Sequence, residues 1–292
     1  MADCNFNLPG TTDIAWCPGC GNFKILESLK QALAGSGLTP AETVIVSGIG
    51  QAPKIPQYLN VNYFNGLHGR ALPCALAVKA ANPALTVICE GGDGEMYGEG
   101  GNHFLHNIRR NPDLTHIVHN NMIYGLTKGQ ASPTTNKSLQ TPVQIFGVTN
   151  DPLNPLSLAL SQSEVFVARA FAGDIEQTAQ IIKRAISFKG YALIDILQNC
   201  VTFNKVNTFK WFKDNSYYLS GHDETDHAAA MKLALDKSRL ALGVLYCPEE
   251  RKTFHENLAP YRDGDSTPLF SRSSKSADVA QLIAAKECRC RY

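Results

Sequence analysis

The sequence lacks the features that mark several common classes of protein. Its 27 Lys and Arg nearly balance its 26 Asp and Glu, leaving a formal net charge of +1, so nothing favours a nucleic-acid surface. Its best apolar stretch, residues 71–89, is interrupted by Lys79, Asn82 and two prolines, which argues against a membrane span. Residues 1–13 lack the basic and apolar segments of a secretory signal. We therefore expect a cytoplasmic protein that binds neither nucleic acid nor membrane.

The composition and the cysteine count agree with that expectation. With 292 residues, 44% hydrophobic and 18% charged, the chain is typical of a globular protein that buries a full core without disulfides or metals. Nine cysteines cannot all pair within one chain. The economical interpretation is reduced thiols, some of which bind metal.

Predicted helices and strands alternate along most of the chain. Helical periodicity ends at Gly or Asn-Pro signals, and the strands are continuous apolar runs of the kind that is buried on both faces. This alternation predicts an α/β fold, a doubly wound and mostly parallel sheet with helices on both faces. The predicted strands are residues 43–46, 85–89, 114–118, 165–168 and 191–197, and the predicted helices are residues 25–33, 70–81, 99–110, 175–188 and 223–242.

Two further segments have no such periodicity. Residues 127–142 are rich in Ser, Thr, Gly, Gln and Pro and are expected to form a loop. This loop is longer than most connections, and long loops inside compact domains tend to be functional. Residues 266–276 are expected to form an exposed tail segment.

Two polar motifs follow neighbouring predicted strands. Gly92-Asp93-Gly94 follows one strand and Asn120-Asn121 the next, so both should lie at the same edge of a parallel sheet. Carboxylate and amide oxygens suit Mg²⁺, and the glycines would let backbone amides approach a diphosphate. Alternatively, Asp93 caps a helix and Asn121 sits in a turn. The pairing of the two motifs favours the ligand interpretation.

Together these motifs resemble the thiamine diphosphate-binding motif, and the segments around them resemble the β subunits of 2-oxoacid:ferredoxin oxidoreductases. The resemblance covers most of residues 14–204, in the right order. Its matching segments are residues 16–21, 47–50, 66–71, 119–121, 124–134 and 195–198. The resemblance implies the diphosphate-binding half of the thiamine diphosphate fold. It also implies a cofactor- and cluster-binding α/β domain over residues 1–204. Residues 205–292 would then be a C-terminal extension, packed on the same domain or on a partner subunit.

The resemblance assigns roles to particular positions around these motifs. Asp93, Asn121 and the backbone carbonyl of Ile123 would bind Mg²⁺. Lys128 and Lys54 would be catalytic residues near the substrate carboxylates, although an ordinary solvated lysine is the default for either. The remaining positions would contact the cofactor; they are Gly92, Gly94, Thr127 and His68. His68 is also a catalytic candidate, and its alternative interpretation is a hydrogen-bonded loop histidine.

A Cys-x-x-Cys turn at Cys17 and Cys20 brings two sulfurs within reach of one metal centre. A redox dithiol would normally follow a strand, and zinc would need a second close pair. The only such pair, Cys288 and Cys290, lies in a basic tail and is expected to be inert. The family resemblance instead assigns Cys17, Cys20 and Cys200 to a [4Fe-4S] cluster.

The fourth cluster position of the family is occupied here by Gln51, a poor substitute for a thiolate on iron. Three explanations remain open: a cluster on three cysteines with a non-cysteine fourth ligand, recruitment of Cys74 or Cys4, or a damaged or absent cluster. Cys74 and Cys89 lie in apolar segments and are expected to be core thiols.

The activity implied by the resemblance is oxidative decarboxylation of a 2-oxo acid, with transfer of the acyl group to coenzyme A and of electrons through the cluster to ferredoxin. An α subunit would supply the pyrimidine-binding domain and the activating glutamate, giving an (αβ)₂ assembly. Two lysines near the site favour 2-oxoglutarate over pyruvate. A nicotinamide dehydrogenase is disfavoured because Gly48-x-Gly50 and Gly92-x-Gly94 lack a third glycine. A non-catalytic iron-sulfur subunit would leave the Gly-Asp-Gly motif unexplained.

Overall fold

The computed structural model describes residues 6–10, 12–162, 164–273 and 276–287. Within these ranges, no helix is long and apolar enough to cross a membrane. The α-helices are α1 (Asn22–Gly35), α2 (Ala71–Ala81), α3 (Gly101–Arg110), α4 (Pro155–Gln162), α5 (Ile175–Ser187), α6 (Phe209–Asp214), α7 (His227–Leu235) and α8 (Ser276–Glu287).

The described strands form one eight-stranded sheet in the order β2-β1-β3-β4-β6-β5-β8-β7. All neighbouring pairs are parallel except β5 and β8, which are antiparallel. The expected doubly wound, mostly parallel α/β fold is therefore confirmed. The strands are β1 (Thr43–Ser47), β2 (Asn62–Asn65), β3 (Thr86–Gly92), β4 (Leu114–Asn120), β5 (Phe166–Phe171), β6 (Tyr191–Leu197), β7 (Ser216–Tyr218) and β8 (Leu240–Tyr246).

The central strands are buried on both faces because a separate layer of helices covers each face. Every residue of β4 and β6 is buried. On one face α1 and α5 pack through residues such as Ile25 and Ile182. On the other face α2, α3, α4 and α7 pack through residues such as Leu72 and Phe104. Each such side chain, once fully buried, contributes roughly 1.5–3 kcal/mol to folding.

The topology places four strand ends at one edge of the sheet. β1, β3, β4 and β6 are consecutive neighbours and run parallel. Their carboxyl ends therefore meet at the same edge, which is where ligands bind in such sheets. The segments that follow these four strands contain Gln51, Asp93, Asn121 and Cys200.

The structure departs from the sequence expectations at several elements. The helix expected over residues 223–242 ends at Leu235, and β8 begins at Leu240, because a short apolar run suits a buried strand as well as a helix. The strands β2 and β7 were not expected, since they are only four and three residues long. Helices α4, α6 and α8 were also missed.

Residues 127–142 form no helix or strand, as expected, and the described part of 266–276 is mostly exposed. β7 and β8, which lie after residue 204, extend the same sheet as the earlier strands. The domain boundary expected at residue 204 stays a prediction.

Candidate active site

A cleft opens at the carboxyl edge of β1, β3, β4 and β6. It contains about 910 Å³ of empty space when the open solvent at its mouth is counted. The structure gathers eleven of the sequence-derived positions in its lining: Cys17, Cys20, Gln51, His68, Gly92, Asp93, Gly94, Asn121, Ile123, Thr127 and Cys200.

The two candidate lysines are absent from the described lining of the cleft. Lys54 is half-buried in the 3₁₀ segment Ala52–Tyr58. Lys128 is exposed, and its φ of 76° places it in the left-handed region. A non-glycine residue there adopts an uncommon backbone conformation.

Asp93 is the most firmly oriented polar group of the cleft. It is 1% exposed, and its Oδ2 accepts hydrogen bonds from Ser132 Oγ and Thr134 Oγ1, both at 2.6 Å. Burial raises the pKa of Asp93 to about 6 although these hydroxyls lower it. The side chain makes no helix-capping hydrogen bond, so the capping alternative is not what is observed. A bound cation would offset the desolvation of this carboxylate.

Asn121 and Ile123 form the second part of this donor set. The Ile123 N–H donates to Asn121 Oδ1 at 3.0 Å, so Asn121 does sit in a turn, as the alternative interpretation held. The turn and the ligand role are compatible, because an amide oxygen has two lone pairs. The buried carboxylate, the amide oxygen and the nearby backbone carbonyl together fit Mg²⁺, which prefers oxygen ligands.

Two glycines shape the floor of the cleft beside Asp93. A Cβ atom at Gly92 would meet nothing within 4 Å, so this backbone faces open space that suits a bulky anion. A Cβ atom at Gly94 would overlap the ring of Tyr124, whose hydroxyl donates to the Gly94 carbonyl at 3.0 Å. Gly94 therefore allows close packing against Tyr124, and Gly92 leaves room for a diphosphate.

Sequence reasoning missed the residues that support Asp93. Ser132 and Thr134 lie in the loop of residues 127–142, for which only a functional role in general was expected. Thr134 Oγ1 is also 2.9 Å from Asn120 Oδ1, and Asn120 Nδ2 donates to the buried Asp195. A chain of polar contacts thus connects β6 to Asp93.

A second group of buried polar side chains lies against the cleft. His119 Nε2 is 2.9 Å from Glu90 Oε1, and His119 Nδ1 is 2.9 Å from Asn22 Oδ1. The Glu95 carboxylate fills space that exists only because Gly48 has no side chain. Burial raises the pKa of Glu95 to about 8, and the nearby Glu90 adds to the rise. Sequence reasoning gave this group no role, although Gly48 and His119 lie in segments that match the family.

Cys17, Cys20 and Cys200 surround one end of the cleft. The Cys20 N–H donates to the Cys17 carbonyl at 3.0 Å, which closes the Cys-x-x-Cys turn. Thr202 Oγ1 donates to Cys17 Sγ at 3.2 Å, and the Phe203 N–H donates to Cys200 Sγ at 3.4 Å. Hydrogen bonds of this kind stabilise thiolates bound to iron.

The assignment of a [4Fe-4S] cluster to these three thiols stays a prediction. Among the described residues, no three His, Cys, Asp or Glu side chains converge tightly enough to hold one metal ion. Burial raises the pKa of Cys20 to about 11, and Cys200 and Cys17 add to the rise. The Cys20 thiol is therefore neutral until a metal deprotonates it.

Gln51 completes the lining at this end of the cleft. Its backbone carbonyl accepts a 2.8 Å hydrogen bond from Trp16 Nε1, which fixes it beside the cysteine turn. Its Oε1 is buried and has no hydrogen-bond partner. An unpaired buried oxygen costs about 1–3 kcal/mol, and a ligand bound in the cleft would offset that cost.

The other cysteines are accounted for differently. Cys89 is fully buried in β3, and the half-buried Cys74 packs against the same core cluster, as expected of core thiols. Cys20 packs against the cluster on the opposite face of the sheet, so Cys74 is poorly placed to join it. Cys4, Cys288 and Cys290 lie outside the described residues.

Two protein-family models match the chain. One is described as "Thiamine pyrophosphate enzyme, C-terminal TPP binding domain" and covers residues 44–196. The other describes the C-terminal part of the pyruvate ferredoxin oxidoreductase β subunit, and it covers residues 200–263. Together they span the cleft lining except for Trp16, Cys17, Cys20 and Asn22, and they include the strands that follow it.

Curated relatives are similar over nearly the whole chain. 2-Oxoacid:ferredoxin oxidoreductase 1, subunit beta, from Aeropyrum pernix is 40% identical, over 94% of this chain and 91% of that protein. The 2-oxoacid:ferredoxin oxidoreductase subunit beta from Saccharolobus solfataricus is 42% identical, over 91% of each. Among solved structures, a 2-oxoglutarate:ferredoxin oxidoreductase from Magnetococcus marinus with 2-oxoglutarate, coenzyme A and succinyl-CoA bound has a TM-score of 0.88 at 33% identity. That match covers 96% of this chain and 94% of the solved one.

Proposed function

The chain belongs to the family of 2-oxoacid:ferredoxin oxidoreductase β subunits, and from that premise we propose that it provides the diphosphate-binding half of the active site. The enzyme would decarboxylate a 2-oxo acid oxidatively, with thiamine diphosphate as cofactor. The observation that carries this proposal is the buried Asp93 carboxylate, held by Ser132 and Thr134 beside the open backbone of Gly92.

The residues of this chain would bind and orient the cofactor. When bound, thiamine diphosphate supplies the carbanion that attacks the keto carbon and the sink for its electrons. Asp93, Asn121 and the Ile123 carbonyl would hold Mg²⁺ on the diphosphate. Gly94, His68 and Thr127 would contact the cofactor from the remaining lining. Cys17, Cys20 and Cys200 would hold a [4Fe-4S] cluster from which electrons pass to ferredoxin.

A partner α subunit would complete the site. The matched family model is one thiamine-binding domain, and thiamine enzymes also need a pyrimidine-binding domain with an activating glutamate. We assign that domain to the α subunit, in an (αβ)₂ assembly that transfers the acyl group to coenzyme A. The cytoplasm suits such an enzyme because it keeps cluster thiols reduced.

Calorimetric titration of thiamine diphosphate into the co-expressed αβ complex tests the proposal. Binding should require Mg²⁺ and should be lost in Asp93→Ala, which removes the central ligand. Asp151→Ala is the matched control, since Asp151 is an exposed aspartate paired with Lys137, and it should bind as the unmodified complex does. Equal affinity in Asp93→Ala and Asp151→Ala would refute the assignment.

We propose 2-oxoglutarate rather than pyruvate as the substrate. Relatives from Mycobacterium tuberculosis and Archaeoglobus fulgidus are named 2-oxoglutarate oxidoreductase and 2-oxoglutarate synthase subunits, and a second carboxylate needs a second cation. Lys128 and Lys54 are the candidates. Turnover of a panel of 2-oxo acids should be fastest with 2-oxoglutarate. Lys54→Ala should raise KM for 2-oxoglutarate and not for pyruvate. Faster turnover of pyruvate than of 2-oxoglutarate by the unmodified complex would instead favour pyruvate as the substrate.

A further inference from the structure

Three thiols and one amide oxygen surround the cluster end of the cleft. Cys17 and Cys20 come from the turn before α1, Cys200 follows β6, and Gln51 follows β1. The Trp16 hydrogen bond to the Gln51 carbonyl joins two segments that are 35 positions apart in sequence. Because Trp16 directly precedes Cys17, this bond holds Gln51 next to the cysteine turn.

The amide oxygen of Gln51 is the unsatisfied group at this position. It is buried and makes no hydrogen bond, while the residue itself lines the same cleft as the three cysteines. Within the described ranges, no fourth cysteine lines this cleft. Cys74 and Cys89 belong to the core on the other face of the sheet.

We propose that the cluster is bound by three thiolates and that its fourth iron faces Gln51 Oε1. This inference rests on the proposed function, since it assumes that the cysteines bind a [4Fe-4S] cluster. An amide oxygen is a much weaker ligand for iron than a thiolate. The fourth iron is therefore the labile corner of the cluster, unlike the three irons held by sulfur.

The chemical consequence is selective loss of that iron on oxidation. A one-electron oxidant such as ferricyanide converts [4Fe-4S]²⁺ to [3Fe-4S]⁺ and Fe²⁺, and the electron passes to ferricyanide. The bond that breaks is the bond to Gln51, together with the bonds from the departing iron to its three bridging sulfides. Added Fe²⁺ and a one-electron reductant such as dithionite reverse the change.

The test uses the anaerobically purified αβ complex, treated with ferricyanide and examined by EPR. The unmodified complex should release one iron per cluster and develop the signal of an oxidised three-iron cluster. Refilling with ⁵⁷Fe should label a single site in the Mössbauer spectrum. In Gln51→Cys the fourth iron should bind about tenfold or more tightly, given that even outer-shell changes alter metal affinity by 10–100-fold.

Two further variants keep the result interpretable. Gln51→Glu is close to isosteric and supplies a charged oxygen, so its three-iron signal should lie between those of the unmodified complex and Gln51→Cys. Cys74→Ala should behave as the unmodified complex does. A larger three-iron signal in Cys74→Ala would instead show that Cys74 holds the fourth iron, which would overturn the inference.

The remaining outcomes separate this inference from the proposed function. Equal iron retention in the unmodified complex and in Gln51→Cys would overturn the inference and leave the cluster in place. If the Gln51→Cys complex contained iron and the unmodified complex contained none, the inference would also be overturned, because Gln51 would then prevent cluster binding. Iron in neither would refute the cluster itself, whereas Mg²⁺-dependent binding of thiamine diphosphate is tested independently by calorimetry.

Discussion

At the scale of single residues, Thr134 connects the candidate Mg²⁺ ligand to the protein interior. Its hydroxyl lies 2.6 Å from Asp93 Oδ2 and 2.9 Å from Asn120 Oδ1. A hydroxyl has one hydrogen to donate, and the charged carboxylate is the stronger acceptor. Thr134 therefore orients Asp93.

We expect Thr134→Val to weaken Mg²⁺-dependent binding of thiamine diphosphate by about tenfold or more, as is usual when a supporting partner of a metal ligand is lost. Valine keeps the shape of threonine and removes only the hydroxyl. Thr134→Ser should restore most of the affinity, because it returns the hydroxyl. Calorimetry on the αβ complex measures both, and unchanged affinity in Thr134→Val would show that Ser132 alone suffices.

The residue-level site was predictable only in part. Asp93 and Asn121 follow neighbouring strands, so the meeting of parallel strand ends placed them together in advance, whereas Cys200 was assigned by the family resemblance alone. Ser132 and Thr134 gave no such signal, because they reach Asp93 from an irregular loop 39 and 41 positions away. The unpaired oxygen of Gln51 was likewise invisible, since burial and hydrogen bonding are properties of the fold.

At the scale of secondary-structure elements, the π-helical segment Gly94–Glu99 determines how the Asp93 motif meets the rest of the cleft. Its widened turn is closed by the Gly100 N–H, which donates to the Glu95 carbonyl at 2.7 Å. Such segments are rare and occur frequently at functional sites. A Cβ atom at Gly98 would overlap the Tyr124 hydroxyl and approach Pro133 Cγ to 3.2 Å.

We expect Gly98→Ala to destabilise the protein by about 1–3 kcal/mol, the usual cost of overpacking. In an ordinary helix the same change stabilises by up to about 1 kcal/mol. The sign of the change in unfolding free energy therefore distinguishes overpacking at Gly98 from an ordinary helical position. Tyr124→Phe removes the overlapping oxygen, and in that background Gly98→Ala should cost less.

Free energies of unfolding from denaturant titration provide the measurement. Gly101→Ala is the matched control, because a Cβ atom at Gly101 would meet nothing within 4 Å, and it should be neutral or stabilising. Equal costs for Gly98→Ala with and without the Tyr124 hydroxyl would contradict the packing argument.

The elements themselves were predictable where the sequence pattern was strong. β3, β4 and β6 are apolar runs with a clear polar or glycine ending, and they were placed to within three residues. β2 is four residues long and fully exposed, so it carries no hydrophobic pattern. The start of β8 was predicted as the end of a helix because its apolar residues satisfy both periodicities.

At the scale of the whole molecule, the exposed apolar side chains agree with a chain that functions beside a partner. Phe146 is 95% exposed, and Phe64 and Leu67 are also largely exposed, in β2 and in the segment that follows it. Leu67 directly precedes His68, which lines the cleft. A partner that completes the active site would approach close to Leu67.

The buried His116 at the centre of the sheet should make the free energy of unfolding of the whole chain fall as the pH is lowered. His116 Nδ1 is 2.6 Å from the Tyr191 hydroxyl, and its ring lies 5.8 Å from that of Phe104. Burial lowers the pKa of His116 from 6.5 to about 3. Between these values the unfolded chain binds a proton that the folded chain does not, so stability is full above about pH 6.5 and falls as the pH is lowered towards 3.

We expect His116→Gln to remove this dependence, because glutamine can still bond to Tyr191 and does not titrate. Between pH 4 and 6, the difference in unfolding free energy between the two proteins should change by about 1.4 kcal/mol per pH unit. The raised pKa of Asp93 acts in the opposite direction, but it is common to both proteins and cancels in the difference. Parallel curves for His116→Gln and the unmodified chain would mean that the folded protein protonates His116, and thus that water reaches the centre of the sheet.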